Sequence, residues 1–150
     1  MKNKFLFLAI FLFVGFAYAQ NYSQKYNDLY KRTEFYNSNG TMIGYAKYND
    51  LYKRMEYFDA NGNLVKYDKE NSLYNRTDSY DSNGNQQGYT KQNNLYNRTE
   101  TYDSNGNQEY TKKWNELYNR YDIYDSRGNK IGHYKYNSLY KKWEFEQSSY

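Results

Sequence analysis

The chain has 150 residues, with 21 Lys and Arg against 17 Asp and Glu, and it contains no Cys and no Pro. A net charge of +4 is too small for a polyanion binder, which usually carries a strongly basic face, so we expect no nucleic-acid partner. The absence of Cys excludes thiol nucleophiles and disulfides, and His133 as the single His leaves no His-based triad or His-rich zinc site.

The first segment, "MKNKFLFLAIFLFVGFAYAQ", predicts a secretory signal peptide. It has Lys2 and Lys4, an apolar run over residues 5–16, and a small-x-small pattern that ends at Ala19. We expect residues 1–19 to be removed, and the mature chain to be secreted, at the cell surface or extracellular, with the periplasm as an alternative. The apolar run is shorter than a bilayer span, so we expect no membrane span after cleavage, although an uncleaved anchor is the alternative.

A 22-residue repeat dominates the mature chain. The string Asn-x-Leu-Tyr starts at Asn27, Asn49, Asn71, Asn93, Asn115 and Asn137. A second column with the same period consists of the glycines Gly40, Gly62, Gly84, Gly106 and Gly128. The repeat predicts a single domain over residues 20–150, made of five units from Asn27 and a half unit from Asn137.

Each unit has the pattern of a β-hairpin. In the first unit a strand-length run over Leu29 to Tyr36 is followed by "NSNG" and by a second run over Thr41 to Tyr48. We therefore predict an all-β fold in which the tandem hairpins form an extended or coiled antiparallel meander, as a repeat sheet or solenoid. Parallel stacking would place equivalent arginines ~4.8 Å apart, so the charge pattern favours the antiparallel arrangement.

The "DSNG" strings between the two strands predict type I turns that are closed by a glycine at positive φ. A turn centred on the last two residues would force Arg127 of "DSRG" into positive φ, which is unfavourable for Arg. A calcium loop is the alternative, because Asp and Asn oxygens alternate there. The plain turn is favoured, since one copy begins with Asn37, another has Arg127 at a ligand position, and the distal acid is missing. We therefore expect no metal.

The first strand of each unit carries Tyr, Arg, an acid and an aromatic residue at alternating positions, which share one face of a strand. The candidate binding residues on this face are Tyr30, Arg32, Tyr36, Tyr52, Arg54, Tyr74, Arg76, Tyr80, Tyr96, Arg98, Tyr102, Tyr118, Arg120 and Tyr124. One interpretation is structural, with Arg and acid paired and rings stacked between strands. The other is a contact surface for a carbohydrate or another surface protein.

The strings "EYFDANGNLV", "SYDSNGNQQG" and "IYDSRGNKIG" resemble the YD repeats of Rhs-type secreted proteins. The segment "FYNSNGTMIGYAKYN" is similar to MORN-like repeats and to the choline-binding repeats of cell-wall proteins. The period also resembles that of curli-type functional amyloid. These resemblances imply tandem β-hairpins with an extracellular or cell-surface role, and they bring no catalytic residue.

The repeats contain no unique constellation of the kind that an active site needs, so we expect no enzyme and no cofactor. The function predicted is that of a secreted, bacterial-type binding or adhesion module without enzymatic activity. The alternative is a structural protein that self-associates through open sheet edges into a matrix or an amyloid-like fibre.

Overall fold

The computed structural model describes residues 22–148, which confirm the prediction of an all-β fold of antiparallel hairpins. The strands are β1 (Tyr22–Asn27), β2 (Arg32–Tyr36), β3 (Met42–Asn49), β4 (Arg54–Asp59), β5 (Leu64–Asn71), β6 (Arg76–Asp81), β7 (Gln86–Asn93), β8 (Arg98–Asp103), β9 (Gln108–Asn115), β10 (Arg120–Asp125), β11 (Lys130–Asn137) and β12 (Lys142–Gln147). No helix within this part of the chain is long and apolar enough to cross a membrane. The predicted signal peptide lies outside the described residues.

The glycine turns have the predicted geometry. In the third unit the Gly84 amide donates to the Asp81 carbonyl at 3.1 Å, and Gly84 has a φ of 90°. The Asp81 side chain accepts the amides of Asn83 at 2.9 Å and Asn85 at 2.8 Å, so its oxygens stabilise the turn itself. Hydrogen bonds, chiefly from the Asn85 side chain, lower the pKa of Asp81. Arg127 is not among the described residues with positive φ, in agreement with the predicted turn type.

The second kind of turn begins at the repeated Asn, and here the predicted strand boundary is wrong. The Asn27 Oδ1 atom accepts the amides of Leu29 at 3.1 Å and Tyr30 at 3.2 Å, and Lys31 has a φ of 50°. These hydrogen bonds hold Leu29 and Tyr30 in the turn, so the strand begins only at Arg32. The same left-handed position recurs at Lys53, Asn75, Asn97, Asn119 and Lys141.

The sheet closes on itself, so the predicted extended or solenoid arrangement is wrong. The first strand, β1, pairs with the last, β12, and all other pairs join consecutive strands. Gly44 pairs with Phe35 on one side and with Asp59 on the other. The counterpart of Phe35 in the next unit is Tyr57, so the pairing is offset by two residues from one unit to the next. A constant offset of this kind tilts the strands and allows a sheet to close as a barrel. The C-terminal half unit and β1 together complete a sixth unit.

The inner face of the barrel carries the buried apolar side chains. The partly buried Tyr22 on β1 and the buried Tyr134 on β11 make an edge contact at 5.7 Å although β12 lies between their strands. Only on the concave side of a curved sheet do side chains two strands apart converge in this way. Phe35, Tyr57 and Ile123 belong to the same buried set.

A polar arc occupies the other part of the inner face, on strands β5 to β9. The Asp68 carboxylate accepts hydrogen bonds from the Tyr57 hydroxyl at 2.7 Å and the Ser79 hydroxyl at 2.6 Å. The Lys66 ammonium lies 3.4 Å from the same carboxylate. Farther along the arc, burial lowers the pKa of Lys112 to about 8. The interior is therefore apolar on one side and hydrogen-bonded on the other.

Closure can be tested with a disulfide across the β1–β12 seam. Ser23 pairs directly with Glu144, whereas an open sheet of twelve strands would hold them roughly 50 Å apart. We expect the variant Ser23→Cys/Glu144→Cys to form one intramolecular disulfide and to unfold at a higher temperature when oxidised. The natural chain has no Cys, so the only disulfide that mass spectrometry can detect within one chain is the introduced one. Intermolecular disulfides alone would contradict closure.

Lys112 gives the barrel a specific alkaline pH dependence. Its pKa is about 8 in the folded protein and about 10.4 in an unfolded chain, so the unfolded state binds more protons between these values. The free energy of unfolding therefore rises with pH from about pH 8 to pH 10. Lys112→Met should remove this rise and increase the free energy of unfolding at pH 7 by about 1–3 kcal/mol. Urea unfolding across this pH range measures both effects.

The matched control is Lys113→Met, which changes the neighbouring exposed lysine on the outer face. This variant should keep the alkaline rise of the wild-type protein. A rise that persists in Lys112→Met would show that another group causes it.

Candidate functional site

The acid of each repeat unit lies at the centre of a hydrogen-bond network on the outer face. Glu34 accepts from the Arg32 Nε atom at 2.9 Å and the Asn27 Nδ2 atom at 3.1 Å, and its second oxygen accepts from the Tyr36 hydroxyl at 2.6 Å. These neighbours cover the carboxylate, which is 7% exposed. Burial raises the pKa of Glu34, but the hydrogen bonds from Tyr36, Arg32 and Asn27 outweigh it and leave the pKa below its ordinary value.

The arginine of the unit is held between two tyrosine rings. The Arg32 Cζ atom lies 4.7 Å from the centroid of the Tyr30 ring and 4.3 Å from that of Tyr45 on the neighbouring strand. The Tyr45 ring then stacks on Phe58 at 4.9 Å. The next two units repeat this arrangement with Arg54 between Tyr52 and Tyr67, and with Arg76 between Tyr74 and Tyr89.

These contacts are the ones that the structural interpretation of the Tyr-Arg-acid face predicts. The candidate arginines lie on the outer surface in strands, whereas Tyr30 and its counterparts Tyr52, Tyr74, Tyr96 and Tyr118 lie in turns. Tyr36, Tyr80, Tyr102 and Tyr124 lie on the strands beside the acids. A role of the whole face in binding stays a prediction.

The tyrosines that cover the arginines from the neighbouring strand, Tyr45, Tyr67 and Tyr89, occupy one repeat position, which we call the ring column. The ring column is interrupted in the fourth unit. Thr111 occupies the position that Tyr45, Tyr67 and Tyr89 occupy in the first three units, so Arg98 contacts the Tyr96 ring on only one side. The Arg98 side chain is 33% exposed, against 21–23% for the other four strand arginines. Arg120 also contacts one ring, that of Tyr118, but the position that faces it in the column is occupied by His133. The missing ring therefore leaves one face of a guanidinium open to a ligand.

The other wall of this opening is the Tyr124 ring. Tyr124 pairs with Thr111, and in the first three units the corresponding pair is a stacked pair of rings at 4.8–5.0 Å. In those units the hydroxyl of the column tyrosine also lies close to the next glycine turn. The Tyr67 hydroxyl, for example, lies 3.6 Å from the position that a Cβ atom would take on Gly84. At Gly128 no described atom lies within 4 Å of that position. We call this opening between Arg98, Tyr124 and Gly128 the ring slot.

The ring slot lies within a surface groove of about 510 Å³. The groove is lined by Tyr96, Arg98, Gln108, Thr111, Lys113, Tyr124, Asp125, Ser126, Arg127 and Gly128. The Asp125 side chain accepts the amides of Arg127 at 2.9 Å and Asn129 at 2.8 Å, so its charge is directed into its own turn. Lys113 and Arg127 make no ion pair with any described residue, so both cations of the groove lining are available to an anionic ligand.

Sequence reasoning included Tyr96, Arg98 and Tyr124 among the candidates but missed Gln108, Thr111 and Lys113. It treated Arg127 only as evidence for a turn type. The signal that could have found the groove is the departure from the repeat. Thr111 stands where the first three units have a tyrosine, and Arg127 stands where the other four glycine turns have an asparagine. The tertiary structure brings both departures to one place.

Two other positions in the ring column also lack tyrosine, but neither opens an arginine in the same way. His133 follows Thr111 in the column, and its Nε2 atom lies 3.3 Å from a Glu146 oxygen. Burial, followed by the charge of Arg120, lowers the pKa of His133. Ser23 lies at the seam, where Lys142 replaces the arginine. Among the described residues no cluster of three or more His, Asp or Glu could hold a metal ion.

The chain matches no family model and no curated protein. Its fold is similar to the crystal structure of a protein from Arabidopsis thaliana, with a TM-score of 0.63 and 10% sequence identity. The similarity covers 85% of this chain and 79% of the Arabidopsis chain. At this identity the likeness concerns the fold alone, and the protein belongs by structure to the closed, antiparallel β-barrels built from hairpins.

Arg76 lies between two tyrosine rings and Arg98 contacts only one, so replacing these two equivalent arginines should destabilise the protein to different extents. Arg76→Met should lower the free energy of unfolding by about 2–3 kcal/mol, because it leaves the Asp78 carboxylate, which is 3% exposed, without its cation and separates two rings. Arg98→Met should cost about 1 kcal/mol less, since Arg98 contacts one ring only. Chemical denaturation of both variants checks the difference, and equal losses would show that the second ring contributes nothing.

Proposed function

We propose that the protein is a secreted, non-enzymatic binding module of the cell surface, and that it binds an acidic carbohydrate in the ring slot. The observation that supports this proposal is the missing ring at Thr111, since Arg98 and Tyr124 line the groove on either side of the position that a tyrosine ring fills in the first three units. Proteins commonly bind small ligands in concave sites that combine an aromatic wall with a few directed polar groups.

The walls of the ring slot suit a sugar ring. The apolar C–H face of a pyranose packs against an aromatic face such as that of Tyr124, while a guanidinium donates hydrogen bonds to ring hydroxyls from the other side. Gln108 and Ser126 line the same groove. The Gln108 Nε2 atom donates to the Thr111 hydroxyl at 3.0 Å, so its carbonyl oxygen and the Ser126 hydroxyl are the groups that can bind sugar hydroxyls. Burial raises the pKa of the Tyr124 phenol, so this group stays protonated at neutral pH.

The charge of the groove favours a sugar that carries a carboxylate or a sulfate. Lys113 on β9 and Arg127 in the turn after β10 both line the groove, and the one acid among the lining residues, Asp125, is held by its own turn. An arginine can bind a carboxylate or sulfate through two parallel hydrogen bonds. An anionic substituent on the bound sugar would therefore have cationic partners without competing with a free acid.

The shape of the ring slot also favours a second ligand, the aromatic side chain of a protein partner. The corresponding space in the first three units holds a tyrosine ring of the chain itself. The polar groups of the groove argue for the sugar, since an aromatic side chain would use only the two flat walls. Self-association through sheet edges stays a prediction, and it would require β1 and β12 to separate, because the closed sheet pairs both.

The variant Thr111→Tyr tests the ring slot by restoring the repeat. The new ring should fill the slot, so the variant should keep or exceed the stability of the wild-type protein and lose carbohydrate binding by more than about tenfold. Binding is measured by titration with acidic and neutral oligosaccharides selected on a glycan array. A folded Thr111→Tyr variant that binds as tightly as the wild type would overturn the proposal.

The variant Arg127→Asn is the matched control for charge, because it restores the asparagine that the other four glycine turns carry at this position. It should weaken binding of acidic sugars and leave neutral sugars of the same size unchanged. If no glycan binds but a tyrosine-containing peptide does, and Thr111→Tyr abolishes that binding, the ligand is a protein side chain.

A further inference from the structure

Six leucines stand at one rim of the barrel with their side chains in solvent. Each lies in an Asn-x-Leu-Tyr turn and is 79–83% exposed. We call this set the leucine crown, and its members are Leu29, Leu51, Leu73, Leu95, Leu117 and Leu139. A single exposed leucine is ordinary, but six at equivalent positions of one rim form a repeated apolar feature.

Closure of the barrel places these leucines at one level. In a meander all connections from an odd strand to the following even strand lie at the same end, and the six turns connect β1–β2 through β11–β12 in this way. The terminal pairs are equivalent in every unit, as Asn27 with Arg32, Asn49 with Arg54 and Asn93 with Arg98 show. Because the units repeat around a closed ring, the leucine tips define a plane.

Aromatic rings surround the leucine crown on both sides. The residue after each leucine is a tyrosine, 55–60% exposed, and five of these rings are supported from below by an arginine. On the inner side of the same rim Tyr26, Tyr48 and Tyr136 are 40–48% exposed. Tyrosine is the residue that prefers the boundary between water and the apolar part of a bilayer.

The rim is positively charged. A belt of exposed lysines, one in each odd strand, lies two residues before the repeated Asn, and it consists of Lys25, Lys47, Lys69, Lys91, Lys113 and Lys135. The turns add Lys31, Lys53 and Lys141. Against these nine lysines stand four exposed acids of the rim, namely Asp28, Asp50, Glu70 and Glu116. The strand acids such as Glu34 do not change this balance, because each is paired with its own Arg or Lys.

We propose that the leucine crown docks the barrel, rim first, on the surface of an anionic lipid bilayer. A bilayer is a continuous partner that can accept six separated tips in one plane, and its acidic headgroups complement the lysine belt. A second copy of the chain would bring two lysine belts together, so the charge disfavours crown-to-crown dimers. The opposite rim has turns of Asp, Asn, Ser and Gly, which give it no apolar tips to insert.

The proposal is tested by vesicle flotation of the mature chain, residues 20–150, because the apolar run over residues 5–16 would bind lipid by itself. We expect the protein to bind vesicles of phosphatidylcholine with roughly one-third phosphatidylserine, to bind pure phosphatidylcholine weakly, and to lose affinity as salt rises from about 0.1 M to about 0.5 M. The variant Leu29→Ser/Leu73→Ser/Leu117→Ser should reduce the partition coefficient by more than about tenfold. Its thermal stability should be unchanged, since these side chains are exposed in the folded protein.

The matched control is Thr111→Tyr, which fills the ring slot and leaves the leucine crown intact. It should bind vesicles as the wild type does, so that failure of the carbohydrate proposal and failure of the membrane proposal give different results. Vesicle binding that is equal in the wild type and the triple serine variant would overturn the proposal. A wild-type dimer that the serine variant dissociates, without any vesicle binding, would assign the leucine crown to a second copy instead.

Discussion

One carboxylate in each repeat unit holds together the parts on which the outer surface depends. In the first unit Glu34 receives hydrogen bonds from Asn27 at the end of one strand and from Arg32 and Tyr36 on the next. Its position fixes the Asn27 side chain, whose other end caps the turn that exposes Leu29. It also fixes the arginine plane on which the tyrosine rings pack. This one buried acid therefore couples the turn, the strand and the stacked rings, and we expect its removal to weaken all three.

Because the units are equivalent, a change in one of them alters the surface at a single place. Thr111 stands where the first three units have a tyrosine, so one ring is missing from the ring column. Arg98 and Tyr124 lie on either side of this gap. The Arg98 wall keeps the position that the repeat gives it, since its Nε atom donates to Glu100 at 2.7 Å as the other strand arginines do to their acids. A repeat scaffold can therefore form a preorganised site when one unit lacks a side chain that the other units have, without any new loop.

Much of the local structure followed from the sequence. The period of 22 residues, the antiparallel hairpins and the glycine turns are local properties, set by side chains within one unit, and the structure confirms them. The strand start at Leu29 was wrong because an Asn side chain competes successfully with strand pairing for the next two amides. The ring slot was missed because its walls come from β8 and β10, and only the fold shows that Thr111 lies between them.

The sequence by itself determined the repeat, the hairpin and the type of the glycine turn, because each depends on contacts within about twenty residues. Only the tertiary structure decided that the sheet closes, that the acids are covered, and that six leucines share one rim. Closure depends on a stagger that accumulates over all six units until β1 meets β12, and no single unit contains that sum. The leucine crown follows from closure as a ring of equivalent tips, whereas the ring slot follows from the pairing of the neighbouring strands β8, β9 and β10.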